Sequence, residues 1–215
     1  MATYESLIKI TGSIGDLVFY SLNGKNVVRK KSGFNKNAFK KDPSYEKVRQ
    51  NSSEFGHCSK AGKTIRSCIE NYTKEAGDAL LYQKFARLMT VIKDLDAVSD
   101  RGKRVVQNGM KTEAGIKLLK EFRFGEKENI WQNISIEKEQ KNLILNVNDQ
   151  LAADELIIIT IEPDLEGYSA EYTEEKMFLK KAGKILFKKH FSDSTLLLYF
   201  GVLKNKGEIT HMGFI

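Results

Sequence analysis

Residues 54–67 read EFGHCSKAGKTIRS, and the fold turns on whether this is a phosphate-gripping loop or a helix that contains glycines. A nucleotide-binding P-loop needs Gly, four residues, then Gly-Lys-Ser/Thr, because that length lets consecutive N–H groups wrap the phosphates. Here five residues separate Gly56 from Gly62-Lys63-Thr64, and His57 stands where the glycine should be. The preceding YEKVRQNSSE is charged, not the buried strand such a loop follows. The stretch therefore reads as helix.

Asp42 and Pro43 supply a cap and a first helical residue. Tyr45, Val48, Phe55, Cys58, Ile65, Ile69 and Tyr72 recur at helical spacing and trace one apolar face. Ser52, Gly56 and Gly62 read as small positions where another backbone packs closely, in compensation for the ~1 kcal/mol each helical glycine costs. Lys60, Lys63 and Arg66 fall on a solvated flank. A second helix is expected over about 74–97, through Leu81, Phe85, Leu88, Ile92 and Leu95, and a third from about Thr112 to Phe122.

Upstream, LIKIT reads as a strand, and Asn23-Gly24 between two β-favouring runs signals a two-residue hairpin. Pairing about that turn sets Tyr20 opposite Val27 and Phe19 opposite Val28. SGFNKNAFKK follows as a basic loop. Beyond residue 125 the apolar period drops to two, and NISIEKE, NLILNVN, DELIIITIE, GYSAEYTEE, KILFKKHF, TLLLYFGVL and EITHMGF make seven short strand candidates. The expected fold is α+β. A hairpin with a two-to-three-helix module occupies residues 1–125, and an antiparallel sandwich of fibronectin type III or immunoglobulin kind occupies residues 126–215.

Chemistry-bearing constellations are sparse. The three histidines are scattered, Cys58 and Cys68 sit ~15 Å apart if helical, and no nucleophile elbow occurs. No cofactor, metal or catalytic residue is expected, and the chain reads as a non-enzyme. No apolar run spans a bilayer and no basic leader precedes an apolar block, so the expected setting is cytoplasmic, without a membrane partner. The net charge of +7 is uneven: +7 over residues 1–70, +4 over 71–125 and −4 over 126–215. The candidate partner surface is the basic segment in which Arg29, Lys30, Lys31, Lys36, Lys40 and Lys41 surround Phe34 and Phe39. Cations there could neutralise phosphates while aromatics stack on bases, or they could keep a hairpin edge unpaired.

IKITGSIGDLVFY, the hairpin return, KKDPSYEKVRQNSSEFGHCSKAGKTIR and GIKLLKEFRFGE occur in this order. The chain thereby resembles a group of uncharacterised Bacteroidota proteins with an N-terminal hairpin, helices and a β-rich C-terminal domain. In that group Asp42-Pro43, Arg49, Asn51, Glu54-Phe55-Gly56 and Ala61-Gly62-Lys63 belong to the recurring motif, and His57-Cys58 departs from a more usual Arg-Ala. The resemblance implies a fold and no activity. The expected function is a structural or assembly protein that self-associates or joins other subunits in a particle, tail-like or filament assembly. The alternative is a nucleic-acid-binding protein without sequence preference, acting through the basic N-terminal segment.

Overall fold

The computed structural model describes residues 2–6, 8–31, 35–138, 142–147, 152–179, 184–192 and 196–215. The chain divides into two compact units, 1–49 and 50–215.

The first unit is a four-stranded antiparallel sheet with a short helical tail. Strands β1 (Ala2–Thr3), β2 (Gly12–Ile14), β3 (Leu17–Leu22) and β4 (Lys25–Lys30) lie in the order β1-β4-β3-β2. The hairpin register pairs Phe19 with Val28 and Tyr20 with Val27, as its turn residues require. Asn23 and Gly24 both take positive φ, 51° and 77°, the conformation of a tight turn whose twist matches its strands. Residues 8–11 of the expected LIKIT strand lie outside any strand, because Gly12–Ile14 take the positions beside β3. The expected basic loop is half helix: α1 (Lys36–Lys41) starts where the Asn35 side chain accepts from the N–H groups of Asn37 and Ala38. A 3₁₀ turn over Pro43–Tyr45 follows, capped by Asp42.

The second unit holds most of α2 (Glu46–Ser67), then α3 (Glu70–Glu75), α4 (Leu81–Asp94), α5 (Val106–Met110) and α6 (Glu113–Glu121). Gly77, at φ 73°, interrupts the single helix expected over 74–97. All seven expected C-terminal strands form: β5 (Ile134–Lys138), β6 (Asn142–Val147), β7 (Glu155–Asp164), β8 (Ser169–Phe178), β9 (Lys184–Lys188), β10 (Leu198–Asn205) and β11 (Glu208–Phe214). They pair antiparallel in two sheets, β11-β10-β7-β8 and β5-β6-β9. The chain is thus α+β.

Strand β7 shows why the unit has three layers. Its run LIIIT is apolar at successive positions, so both of its faces need cover. Ile157, Ile159 and Ile161 join Cys58, Ile65, Phe85, Met89 and Leu119 of the helices in one core. Leu156 and Ile158 point the other way, into a second core with Leu143, Leu145 and Phe187 of the three-stranded sheet. The four-stranded sheet is therefore the middle layer. Phe85, Phe122, Phe124, Phe200 and Phe214 tie it to the helices, with neighbouring rings 5.0–5.2 Å apart in edge-to-face contact. The first of these cores runs across residue 125, where the sequence suggested a domain boundary. Helix and strand faces that look independent along the chain cover one another in space.

Candidate functional site

Glu54 is the least expected residue of α2. It sits at a position where the helix turns inward, and its carboxylate is buried at 3% exposure. An isolated buried carboxylate is costly, so it must find partners. Lys93 Nζ donates to Oε2 at 2.7 Å, and Arg104 grips both oxygens, Nε to Oε1 at 2.9 Å and Nη2 to Oε2 at 2.8 Å. The Gly102 N–H donates to Oε1 at 2.6 Å. Arg104 beside it, with Lys93 and the Gly102 amide, outweighs burial and holds the Glu54 carboxyl down at about 2. Asp94 closes the cluster, accepting from Lys93 at 2.6 Å and Arg104 at 3.0 Å. Two carboxylates thus meet two cations.

A second buried carboxylate works beside it. Burial opposes ionisation of Asp96, yet hydrogen bonds from Val105, Ser99 and Val98 hold its carboxyl well below the usual range. Its Oδ1 accepts from the amides of Val98 and Ser99, and its Oδ2 from the Val105 amide and Asn108 Nδ2, at 3.0–3.2 Å. Glu54 and Asp96 between them fasten residues 95–105, the connection from α4 to α5. Each accepts four hydrogen bonds, which fills the lone-pair sites a carboxylate offers. Neither has a site left with which to take a proton from a substrate, so the arrangement acts as a clamp.

His57 completes it. Its Nε2 accepts from the Val106 N–H at 3.0 Å, which places the ring proton on Nδ1. Nδ1–H then donates to the Tyr168 hydroxyl at 3.1 Å. Burial first, and then the charge of Lys60, lower the His57 pKa and keep the imidazole neutral. Lys60 itself stands over the Tyr168 ring, 4.8 Å from its centroid.

The glycine-bearing face differs from expectation. Gly62 is buried, but a Cβ there would meet the side chains of Phe85 and Met89 rather than backbone. Ser52 is exposed, and a Cβ on Gly56 would meet nothing within 4 Å. Close backbone approach occurs instead at Gly109, where a Cβ would fall on the Ile92 carbonyl, and at Gly115, where it would fall on that of Gly109. Val48 and Phe55, read from spacing as inward, are 50% and 58% exposed, and Glu54 rather than Phe55 takes the buried position. Lys63 is exposed on a continuous helix.

The basic segment lies in the first unit. Arg29 is half-buried, while Lys30, Lys31, Lys36, Lys40 and Lys41 are exposed and make no ion pair among the described residues. Lys36 and Lys40, four apart on α1, share a face. Phe39 lies edge-on to Tyr45 with centroids 5.9 Å apart, and Phe34 lies outside the described residues. Arg49 Nη1 donates to the carbonyls of Phe39 and Asp42 at 2.7 and 3.0 Å, fixing the joint between α1 and the 3₁₀ turn. Arg101 likewise donates to Asn51 at 3.0 Å. Arg49, Asn51 and Glu54, polar residues of the motif quoted above, are thus all loop-holding groups.

Among the described residues no three His, Cys, Asp or Glu side chains are grouped to hold a metal ion, and no helix is long and apolar enough to cross a membrane. Cys58 and Cys68 are buried free thiols that burial pushes upward in pKa. No protein-family model matches the chain, and no curated protein or solved structure matches it either.

Proposed function

We propose that this chain is a non-enzymatic assembly component that associates with further copies of itself, and that the N-terminal sheet is the part through which it does so. The observation that carries this reading is an unfinished core. Among the described residues of 2–49, Val27 is the single buried hydrophobic side chain. Ile14 and Leu17, by contrast, are 63% and 43% exposed, with Ile8 and Leu22 also exposed. The register puts Ile14, Leu17, Phe19 and Val28 on one face of the sheet, as an apolar stripe. Units of this size ordinarily need a disulfide, a metal or a partner to hold together, and both cysteines lie elsewhere. Covering each such side chain contributes about 1.5–3 kcal/mol, enough in sum to hold a subunit contact.

In the same reading, residues 126–215 make a sandwich of fibronectin type III kind. Its first, second and fifth strands form one sheet, and its seventh, sixth, third and fourth form the other. That is the immunoglobulin grouping with the fourth strand beside the third.

Size-exclusion light scattering at low and high salt, on protein purified without nuclease and with the 260/280 absorbance ratio recorded, tests this. Assemblies heavier than 24.4 kDa that are free of nucleic acid are expected. A monomer at high concentration and low salt overturns the reading. The second reading, sequence-indifferent nucleic-acid binding, is favoured by one observation, the five lysines that are exposed and make no ion pair among the described residues. It requires co-purified nucleic acid and a steep salt dependence that neutralising Lys30, Lys31, Lys40 and Lys41 abolishes.

A further inference from the structure

The two edges of the four-stranded sheet of the second unit are treated differently. At β11 the edge is covered: Glu128 bridges His211, its N–H donating to the Thr210 carbonyl and its carbonyl accepting from the Met212 N–H. A register shift between Leu203 and Lys204 further bends the β10–β11 pair. At β8 nothing of the kind occurs among the described residues. All ten residues pair with β7 in unbroken register, from Glu155 opposite Phe178 to Asp164 opposite Ser169. The outer edge of β8 carries no proline and no bulge, and a single lysine, Lys176. Long, flat, open edges are the ones proteins normally defend.

The side chains along this edge suit a docking strand. Phe178 is 82% exposed and Tyr172 is also exposed, two large rings at positions that share a side with Glu174 and Lys176. Residues 155–178 hold seven Asp/Glu and one Lys, a net of −6. Glu171 stands directly opposite Glu162, a like-charge cross-strand pair that makes no ion pair among the described residues and that costs stability until a cation approaches. Residues 1–49, the first unit, hold ten Lys/Arg and four Asp/Glu, a net of +6.

We propose that the β8 edge of one copy receives the N-terminal sheet of a second copy, head to tail. The inference rests on the self-association reading above and names the surface that takes the apolar stripe. Charge selects this pairing over the alternatives. Two copies of residues 155–178 set against each other would oppose a net −6 to −6, and two N-terminal units would oppose a net +6 to +6. The crossed arrangement instead sets the net +6 of the first unit against the net −6 of residues 155–178, with Ile14 and Leu17 meeting Tyr172 and Phe178. A crossed contact is heterologous, so each copy keeps one free donor and one free acceptor surface, and the product is a ring or a filament.

The test uses two full-length variants whose altered residues are exposed: Ile14→Asp/Leu17→Asp on the sheet and Glu171→Lys/Glu174→Lys on β8. Light scattering at low salt should find each variant monomeric alone. An equimolar mixture should give a complex of twice the 24.4 kDa chain mass and nothing larger, since each variant retains one working surface. Far-ultraviolet circular dichroism and unfolding midpoints check that both fold. If the β8 variant fails to fold, Phe178→Ser replaces it. Three results overturn the proposal. If the β8 variant assembles like the unaltered chain, the β8 surface is wrong while self-association stands. If the mixture stays monomeric, the two surfaces are not complementary. If the unaltered chain is itself monomeric, both readings fall.

Discussion

Replacing Glu54 with Gln should destabilise the protein at neutral pH by an amount the clamp geometry sets. The substitution keeps the side chain's shape, removes its charge, and turns an amide NH₂ toward donors that a carboxylate satisfied. A carboxyl held near 2 in the folded state, against an ordinary value of 4.5, stabilises that state by about 3 kcal/mol at pH 7. Removing one member of a buried ion pair costs about 3–5 kcal/mol in general, which agrees in size. Because the folded value is the lower one, this stabilisation is fully present above about pH 5 and lost as pH falls toward 2. The stability difference between the unaltered chain and the Glu54→Gln variant, measured by urea unfolding, should therefore shrink from about 3 kcal/mol at pH 7 to about 1 kcal/mol at pH 3. Asp96 titrates in both proteins and cancels from the difference. A gap under about 0.5 kcal/mol at pH 7, the size of an ordinary surface substitution, refutes the clamp. So does a gap that does not change with pH.

Gly56→Ala and Gly109→Ala should act in opposite directions. The first stabilises by up to about 1 kcal/mol, since its Cβ meets nothing in a helix, and the second destabilises by about 1–3 kcal/mol, since its Cβ meets the Ile92 carbonyl. Thermal unfolding of the pair decides this, and equal shifts would show that the α4–α5 contact yields. His57, with a pKa lowered by burial, stabilises the fold while neutral; that contribution is present above histidine's ordinary 6.5 and lost as pH falls through the lowered value. His57→Gln should accordingly flatten the stability profile between pH 7 and pH 5, and an unchanged slope would place the titration elsewhere.

Local signals carry much of the fold. Asn23-Gly24 is legible because a turn with two positive φ values has few residues that suit it, and short β-favouring runs between turn residues, alternating in β6 and continuously apolar in β7, locate the seven C-terminal strands. Helix α1 escapes such a reading because its signal is an asparagine cap and lysines, with no apolar period to mark it. Near the start of α2, apolar spacing assigns Phe55 to the core and Glu54 to water, the reverse of what the fold does. Nothing near residue 54 announces that Lys93 and Arg104, dozens of residues away, will arrive to neutralise it.

The succession of the seven C-terminal strands, the hairpin register and the division of charge between the two ends of the chain can all be read along the sequence, since each depends on neighbouring residues or on simple composition. Which faces meet is settled only in three dimensions. There the helices cover one side of β7 and the three-stranded sheet covers the other, and Glu54 becomes a clamp. EFGHCSKAGKTIRS, which invites comparison with a ligand loop, is a stretch of continuous helix that supplies Glu54 and His57 to that clamp. Burial and ion pairing depend on what lies across space, and residues far apart in the chain supply it. That β8 has no neighbour on its outer side among the described residues is the same kind of fact, visible only once the order of strands in the sheet is known.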